Sequence, residues 1–105
     1  MPDNSDAGSP TMRLTDLQLT VDLLVDASVN QDGARDRVAA RNGIQKSVIT
    51  DRVKRIENFF GVSLFGGPQR KEPTKAGHFM ARYGPRLISE IEDFSQMIRD
   101  EASGD

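Results

Sequence analysis

The chain has 105 residues, of which 36% are hydrophobic and 29% charged, and its formal net charge is −2. That length holds one small domain around a thin core, and no apolar run approaches the roughly 20 residues needed to span a bilayer. Cysteine is absent and His78 is the only histidine, which excludes disulfides and thiol nucleophiles and leaves zinc without its usual nitrogen and sulfur ligands.

Residues 1 to 12, MPDNSDAGSPTM, lack both the basic start and the apolar stretch of a secretory signal. A cytoplasmic protein with no membrane partner is therefore expected. The segment is polar, acidic and without periodicity, and reads as a disordered tail.

Charge is unevenly divided along the chain. Residues 1 to 40 carry three basic groups against seven acidic, residues 41 to 75 eight against three, and residues 76 to 105 three against six. A basic middle between acidic ends is the distribution a phosphate backbone attracts, although a basic stretch of this size also occurs as an ordinary solvated face.

In chain order, the first element is a helix from Leu14 to Ala27, with Leu14, Leu17, Val21, Leu24 and Val25 at spacings of three and four and Thr15 as its N-cap. A short helix follows from about Ala34 to Arg41, with Val38 and Ala39 inward and Asn42-Gly43 ending it. The third helix runs from near Gln45 to Phe60 on the stripe Ile49, Val53, Ile56 and Phe60, and Gly61 closes it. Lys46, Ser47, Thr50, Asp51 and Lys54 are left on its other faces. A short helix, a glycine turn and a longer helix with a polar, basic exposed side form a helix-turn-helix pattern.

Val62 to Phe65 reads as a strand, Gly66-Gly67-Pro68 as a turn, and Arg70-Lys71 as the basic tip of a small hairpin that ends at Thr74. From Lys75 a long helix carries Met80, Tyr83, Leu87, Ile91, Phe94 and Ile98 at near-heptad spacing, the stripe of a dimerisation helix. Pro85 within it is expected to produce a kink. The fold class is mainly α with a small β-hairpin. A winged helix-turn-helix occupies 13–74, a dimerisation helix 75–101, and an unordered tail 102–105.

Between Leu14 and about Leu87 several ordered blocks resemble the N-terminal DNA-binding domain of LysR-type transcriptional regulators. They are Val38-Ala39, Gly43-Ile44, Gln45-Lys46-Ser47-Val48-Ile49-Thr50, Val53-Lys54-Arg55-Ile56-Glu57, Phe60-Gly61-Val62-Ser63-Leu64-Phe65 and Pro73-Thr74-Lys75-Ala76-Gly77. Molybdate-responsive repressors have a similar winged N-terminal domain. The resemblance implies that the third helix enters the major groove of double-stranded DNA and that Lys46, Ser47 and Thr50 face base edges. It further implies phosphate contacts from the basic residues, assigned here as Arg41, Arg52, Lys54, Arg55, Arg70 and Lys71. The long helix would pair two subunits through Met80, Tyr83, Leu87, Ile91, Phe94 and Ile98.

The chain departs from the family pattern at instructive places. Lys46 replaces the usual glutamine, exchanging an amide for a donor-only cation suited to guanine O6 and N7. Asp51 stands where arginine is common, and its carboxylate repels phosphate. Gly67 replaces an arginine of the wing. The family's effector-binding domain of two α/β lobes has no counterpart in these 105 residues, and the acidic ends lead us to expect a stand-alone domain.

No histidine or cysteine is placed to activate a nucleophile and no glycine-rich phosphate loop is present, so neither catalysis nor a cofactor or metal is expected. The sequence thus leads to a dimeric, sequence-specific DNA-binding regulator. The runner-up is a protein-interaction module, or an accessory DNA-binding protein, whose partner is another regulator.

Overall fold

The computed structural model describes residues 11–104. The tail expected over 1–12 falls outside them up to position 10, as does Asp105. Four helices and one hairpin follow in order: α1 (Leu14–Val29), α2 (Ala34–Asn42), α3 (Lys46–Phe60), β1 (Phe65–Gly66), β2 (Glu72–Pro73) and α4 (Lys75–Ser103). The strands pair antiparallel, Phe65 opposite Pro73 and Gly66 opposite Glu72. This is a winged helix-turn-helix with a long C-terminal helix.

The centre of the domain is α1, which packs against α2, α3 and α4. Burial on several sides explains why its apolar set is wider than one stripe. Leu17, Val21 and Leu24 are buried as the spacing predicts, but so are Leu19, Leu23 and Ala27, whereas Leu14 and Val25 are each 38% exposed. The helix begins one residue before the expected cap. The Arg13 carbonyl accepts from the Asp16 and Leu17 amides at 3.1 Å, which places Thr15 inside the first turn instead of at its cap.

The α2–α3 turn depends on Gly43, whose φ of 63° lies in the left-handed region that a side chain disfavours. With Gly43 so placed, the Ile44 amide turns back to the Ala39 carbonyl at 3.1 Å, and Ile44 packs against the core. This is a Schellman ending with its hydrophobic contact. From there α3 buries Ile49, Val53 and Ile56. Phe60, expected on that stripe, is 46% exposed, because at the last helical position it has passed the edge of the core.

The hairpin strands are shorter than the predicted Val62 to Phe65 stretch. The Leu64 amide donates to the Glu57 carboxylate at 2.7 Å instead of entering a ladder, while the Leu64 carbonyl accepts from Thr74. Thr74 then caps α4, its hydroxyl accepting from the Gly77 amide at 3.1 Å.

At about 1.5 Å per residue the 29 residues of α4 span about 43 Å. Its first half uses Gly77, Met80, Ala81, Gly84 and Ile88 against the domain. Gly84 is required there, since a Cβ would stand 2.7 and 2.9 Å from the two methyls of Val21. Met80, assigned by the sequence to the dimer stripe, therefore packs on its own core. Pro85 lies on the exposed side and the helix continues past it. The expected unordered end at 102–105 is helical through Ser103, whose hydroxyl donates to the Arg99 carbonyl at 3.0 Å.

Candidate nucleic-acid interface

On the solvent side of α3, residues 46, 47, 50, 51 and 54 recur at intervals of three and four and thus share one side of the helix. Lys46, Ser47, Asp51 and Lys54 are exposed and Thr50 is half-buried. The structure thereby brings together the three side chains assigned to base edges, over the first two turns of the helix that follows the glycine turn.

Two open grooves flank this ridge. One lies between α3 and the wing and is lined by Arg35, Thr50, Lys54, Glu57, Gln69 and Arg70. The other, beside the start of α1, includes Arg13, Asp16, Asp51, Lys54 and Arg55. Lys54 lines both.

The basic residues assigned to phosphate divide into two groups. Arg41 bridges Asp22 and Asp26 of α1, at 3.0 Å to each. The Asp26 and Asp22 hydrogen bonds raise its pKa, and Arg37 also donates to Asp26 through Nε at 2.8 Å. The Asp26 carboxyl lies below its ordinary 3.8, chiefly through the Arg37 hydrogen bond, against the opposing effect of desolvation. Arg52 and Arg55 both approach the buried Asp16 carboxylate, at 3.6 and 3.7 Å, and join α3 to α1. These three arginines hold helices together in the free protein.

The second group is Lys54, Arg70 and Lys71, of which Lys54 and Arg70 line the groove between α3 and the wing. Arg70 occupies a left-handed conformation at the hairpin tip, φ 52°, and its guanidinium reaches Glu57 at 2.6 Å. Lys71 meets Asp32 at 2.6 Å, a hydrogen bond that lowers the Asp32 pKa. Lys46 meets Asp36 at 2.9 Å. Among the described residues, Lys54 has no carboxylate within ion-pair distance. The wing is thus tied through Arg70 to α3 and through Lys71 to the loop before α2, which holds both side chains in place.

Arg35 was not singled out by the sequence. It stacks over the Phe65 ring, with Cζ 4.9 Å from the centroid, at the edge of the groove that holds Thr50 and Arg70. Its position within the acid-rich residues 1 to 40 concealed it, because a charge sum along the chain does not say which side of the molecule a residue faces.

The outer side of α4 is apolar and open. Phe79, Tyr83, Leu87, Phe94, Met97 and Ile98 are exposed, Phe94 to 59%, and Ile91 is half-buried. Tyr83 and Leu87 continue into an apolar groove bordered by Phe60, Val62 and Phe79. Among the described residues no helix is long and apolar enough to cross a membrane, and no cluster of three or more potential metal ligands occurs.

No protein-family model matches the chain. In sequence it is 28% identical over 89 residues to a probable RuBisCO transcriptional regulator of Chlorokybus atmophyticus, an alignment covering 83% of this chain and 28% of that protein. A protein of the same description from Trichormus variabilis is 27% identical over 89 residues, covering 83% and 26%. The chain thus spans about a quarter of the length of these relatives. In structure it is similar to the DNA-binding domain of BenM in its crystal structure with catB site 1 DNA, with a TM-score of 0.69, 22% identity, and coverage of 89% of this chain and 95% of that one. The resemblance to a LysR-type DNA-binding domain therefore extends from the sequence blocks to the fold.

Proposed function

We propose that the protein binds double-stranded DNA sequence-specifically and acts as a transcriptional regulator. The observation that carries this reading is the placement of Lys46, Ser47 and Thr50 on one solvent-facing side of α3, beside a wing that presents Arg70 and Lys71. An α-helix of this kind fits the major groove, where each base pair offers a distinct pattern of donors and acceptors. Lys46 donates to guanine O6 or N7, Thr50 and Ser47 read neighbouring edges, and Lys54, Arg70 and Lys71 fix the register through phosphates. The regulators named among the relatives, and the DNA in the BenM complex, support the same reading.

The chain pairs as a homodimer through the outer side of α4, which presents two copies of α3 to half-sites related by a two-fold axis. The unpartnered apolar side of α4 supports this. The cytoplasm is the compartment that fits such a role. An interaction module that captures another regulator is the second reading, favoured by the carboxylates already held by Lys46, Arg70 and Lys71.

Selection of bound duplexes from a random pool separates the two. Lys46→Ala and Thr50→Ala are expected to change the selected motif, whereas Arg70→Ala and Lys71→Ala weaken binding to all duplexes alike. Motif changes from the wing substitutions alone would contradict the assignment of α3, and failure of the wild-type protein to enrich any duplex would favour the interaction module.

A further inference from the structure

Arg35, in the first turn of α2, differs from Arg70, the other arginine of its groove. Arg70 holds the Glu57 carboxylate, but among the described residues no carboxylate stands within ion-pair distance of Arg35. Its Nε is buried and has no hydrogen-bond partner. One face of the guanidinium is covered by Phe65, a contact that holds the group in place while it retains its charge. Burial first, and then the nearby charge of Arg70, lower the Arg35 pKa.

The groove therefore gathers two guanidinium groups, the Lys54 ammonium, the Thr50 hydroxyl and the Gln69 amide around a single carboxylate. That carboxylate, Glu57, already accepts from the Leu64 amide and from Arg70. Positive charge exceeds negative in the groove, and a buried donor is left without an acceptor. An oxyanion in the groove supplies the missing negative charge, and a planar guanidinium in a fixed position suits a phosphate better than a mobile ammonium does.

We propose that Arg35, Thr50, Lys54 and Arg70 form a seat for one phosphate group, with Arg35 as its fixed donor. The inference rests on the duplex-DNA reading and deepens it: the group is a backbone phosphodiester beside the bases that α3 reads. Because Arg70 shares Glu57, the phosphate takes Arg70 partly from that carboxylate, whereas Arg35 and Lys54 have none to release.

The test uses the full chain with a selected duplex in which single backbone phosphates are replaced, one at a time, by neutral methylphosphonate. Arg35→Gln should weaken binding about tenfold for all sequences alike, as expected for one lost charge-assisted contact. One methylphosphonate position should weaken the wild-type protein by a similar factor and leave Arg35→Gln unaffected. Arg35→Lys, which keeps the charge and loses the planar donor, should fall between.

Should Arg35→Gln unfold, the Arg35 Nε–H resonance of the wild-type protein serves instead, and it should shift on addition of the duplex. Inorganic phosphate is titrated in parallel. A shift with phosphate and none with DNA would assign the seat to a free anion and overturn the backbone-phosphate form. An unmoved resonance with both ligands would overturn the seat, as would a folded Arg35→Gln that binds the duplex like the wild type. A wild-type protein that binds no duplex would contradict the duplex reading itself, and the phosphate titration would then decide the seat alone.

Discussion

At the residue scale, Gly84 and Asp26 show how differently two positions can be read. Glycine inside a helix is usually a cost of about 1 kcal/mol relative to alanine, so a pattern search passes over Gly84 as a weak helix former. Its role appears only when Val21 stands 2.7 Å from the place of a Cβ. Val21 is β-branched and stiff at χ1, so it yields poorly. Gly84→Val should cost about 1–3 kcal/mol by overpacking, measured by urea unfolding, and a variant as stable as the parent would contradict the close approach of α4 to α1. Asp26 accepts from Arg37 and Arg41, and its carboxyl lies below 3.8. A depressed carboxylate stabilises the fold above its unfolded-state pKa, and that contribution is lost as pH falls through the folded-state value. Asp26→Asn is therefore expected to be less stable near neutrality and to lose less stability than the wild type on acidification below about pH 4. Thermal melts from pH 7 to pH 2.5 check this; parallel pH profiles for the two proteins would contradict it.

At the element scale, the helix-turn-helix was legible because its determinants are local. Gly43 ends α2, and Ile49, Val53 and Ile56 repeat on one side of α3, so spacing alone places the turn and the buried stripe. Phe60 continued the spacing but not the burial, since periodicity carries no information about where the core ends. The hairpin was legible from Gly66-Gly67-Pro68, yet its strand was overextended, because the Glu57 carboxylate that takes the Leu64 amide comes from a helix seven residues earlier. In α4 two apolar stripes were read as one. Met80 belongs with Gly77, Gly84 and Ile88 on the inner side, and glycines contribute nothing to a hydrophobic pattern. The outer stripe remains, and leaving Tyr83, Leu87, Phe94 and Ile98 in water forgoes about 25 cal/mol per Å² of apolar area. Ile91→Glu combined with Phe94→Glu is thus expected to give a folded monomer, while the wild type is dimeric at tens of micromolar by light scattering. A monomeric wild type, or a dimeric double variant, would rule out α4 as the seam.

At the scale of the whole molecule, the charge pattern along the chain anticipated a basic middle but not its internal pairing. Arg41, Arg52 and Arg55 belong to the predicted phosphate surface, and in the free protein each also meets a carboxylate of α1. Those partners, Asp16, Asp22 and Asp26, lie 15 to 39 positions away in sequence, beyond what any local reading of charge detects. Arg35 is the reverse case, a cation within the acidic segment that the fold delivers to the groove. The net charge of −2 is therefore a poor guide to the local field, since screening over about 8 Å at physiological salt lets the nearest groups dominate. Five cations per protomer are proposed to face the duplex, Arg35, Lys54, Arg70 and Lys71 toward phosphates and Lys46 toward a base edge. Three of them bring carboxylates of their own, which soften the expected salt dependence.

The most direct measurement is the affinity of the wild-type protein for a random and a selected duplex across a salt series. Binding should be measurable for both at low salt and tighter for the selected one. Its logarithm should fall with the logarithm of salt concentration at a slope of about −2.5 to −3.6 per protomer, the range from partial to full release by the four phosphate-facing cations. Absence of binding to either duplex at about 50 mM salt, where phosphate contacts are strong, would contradict the account.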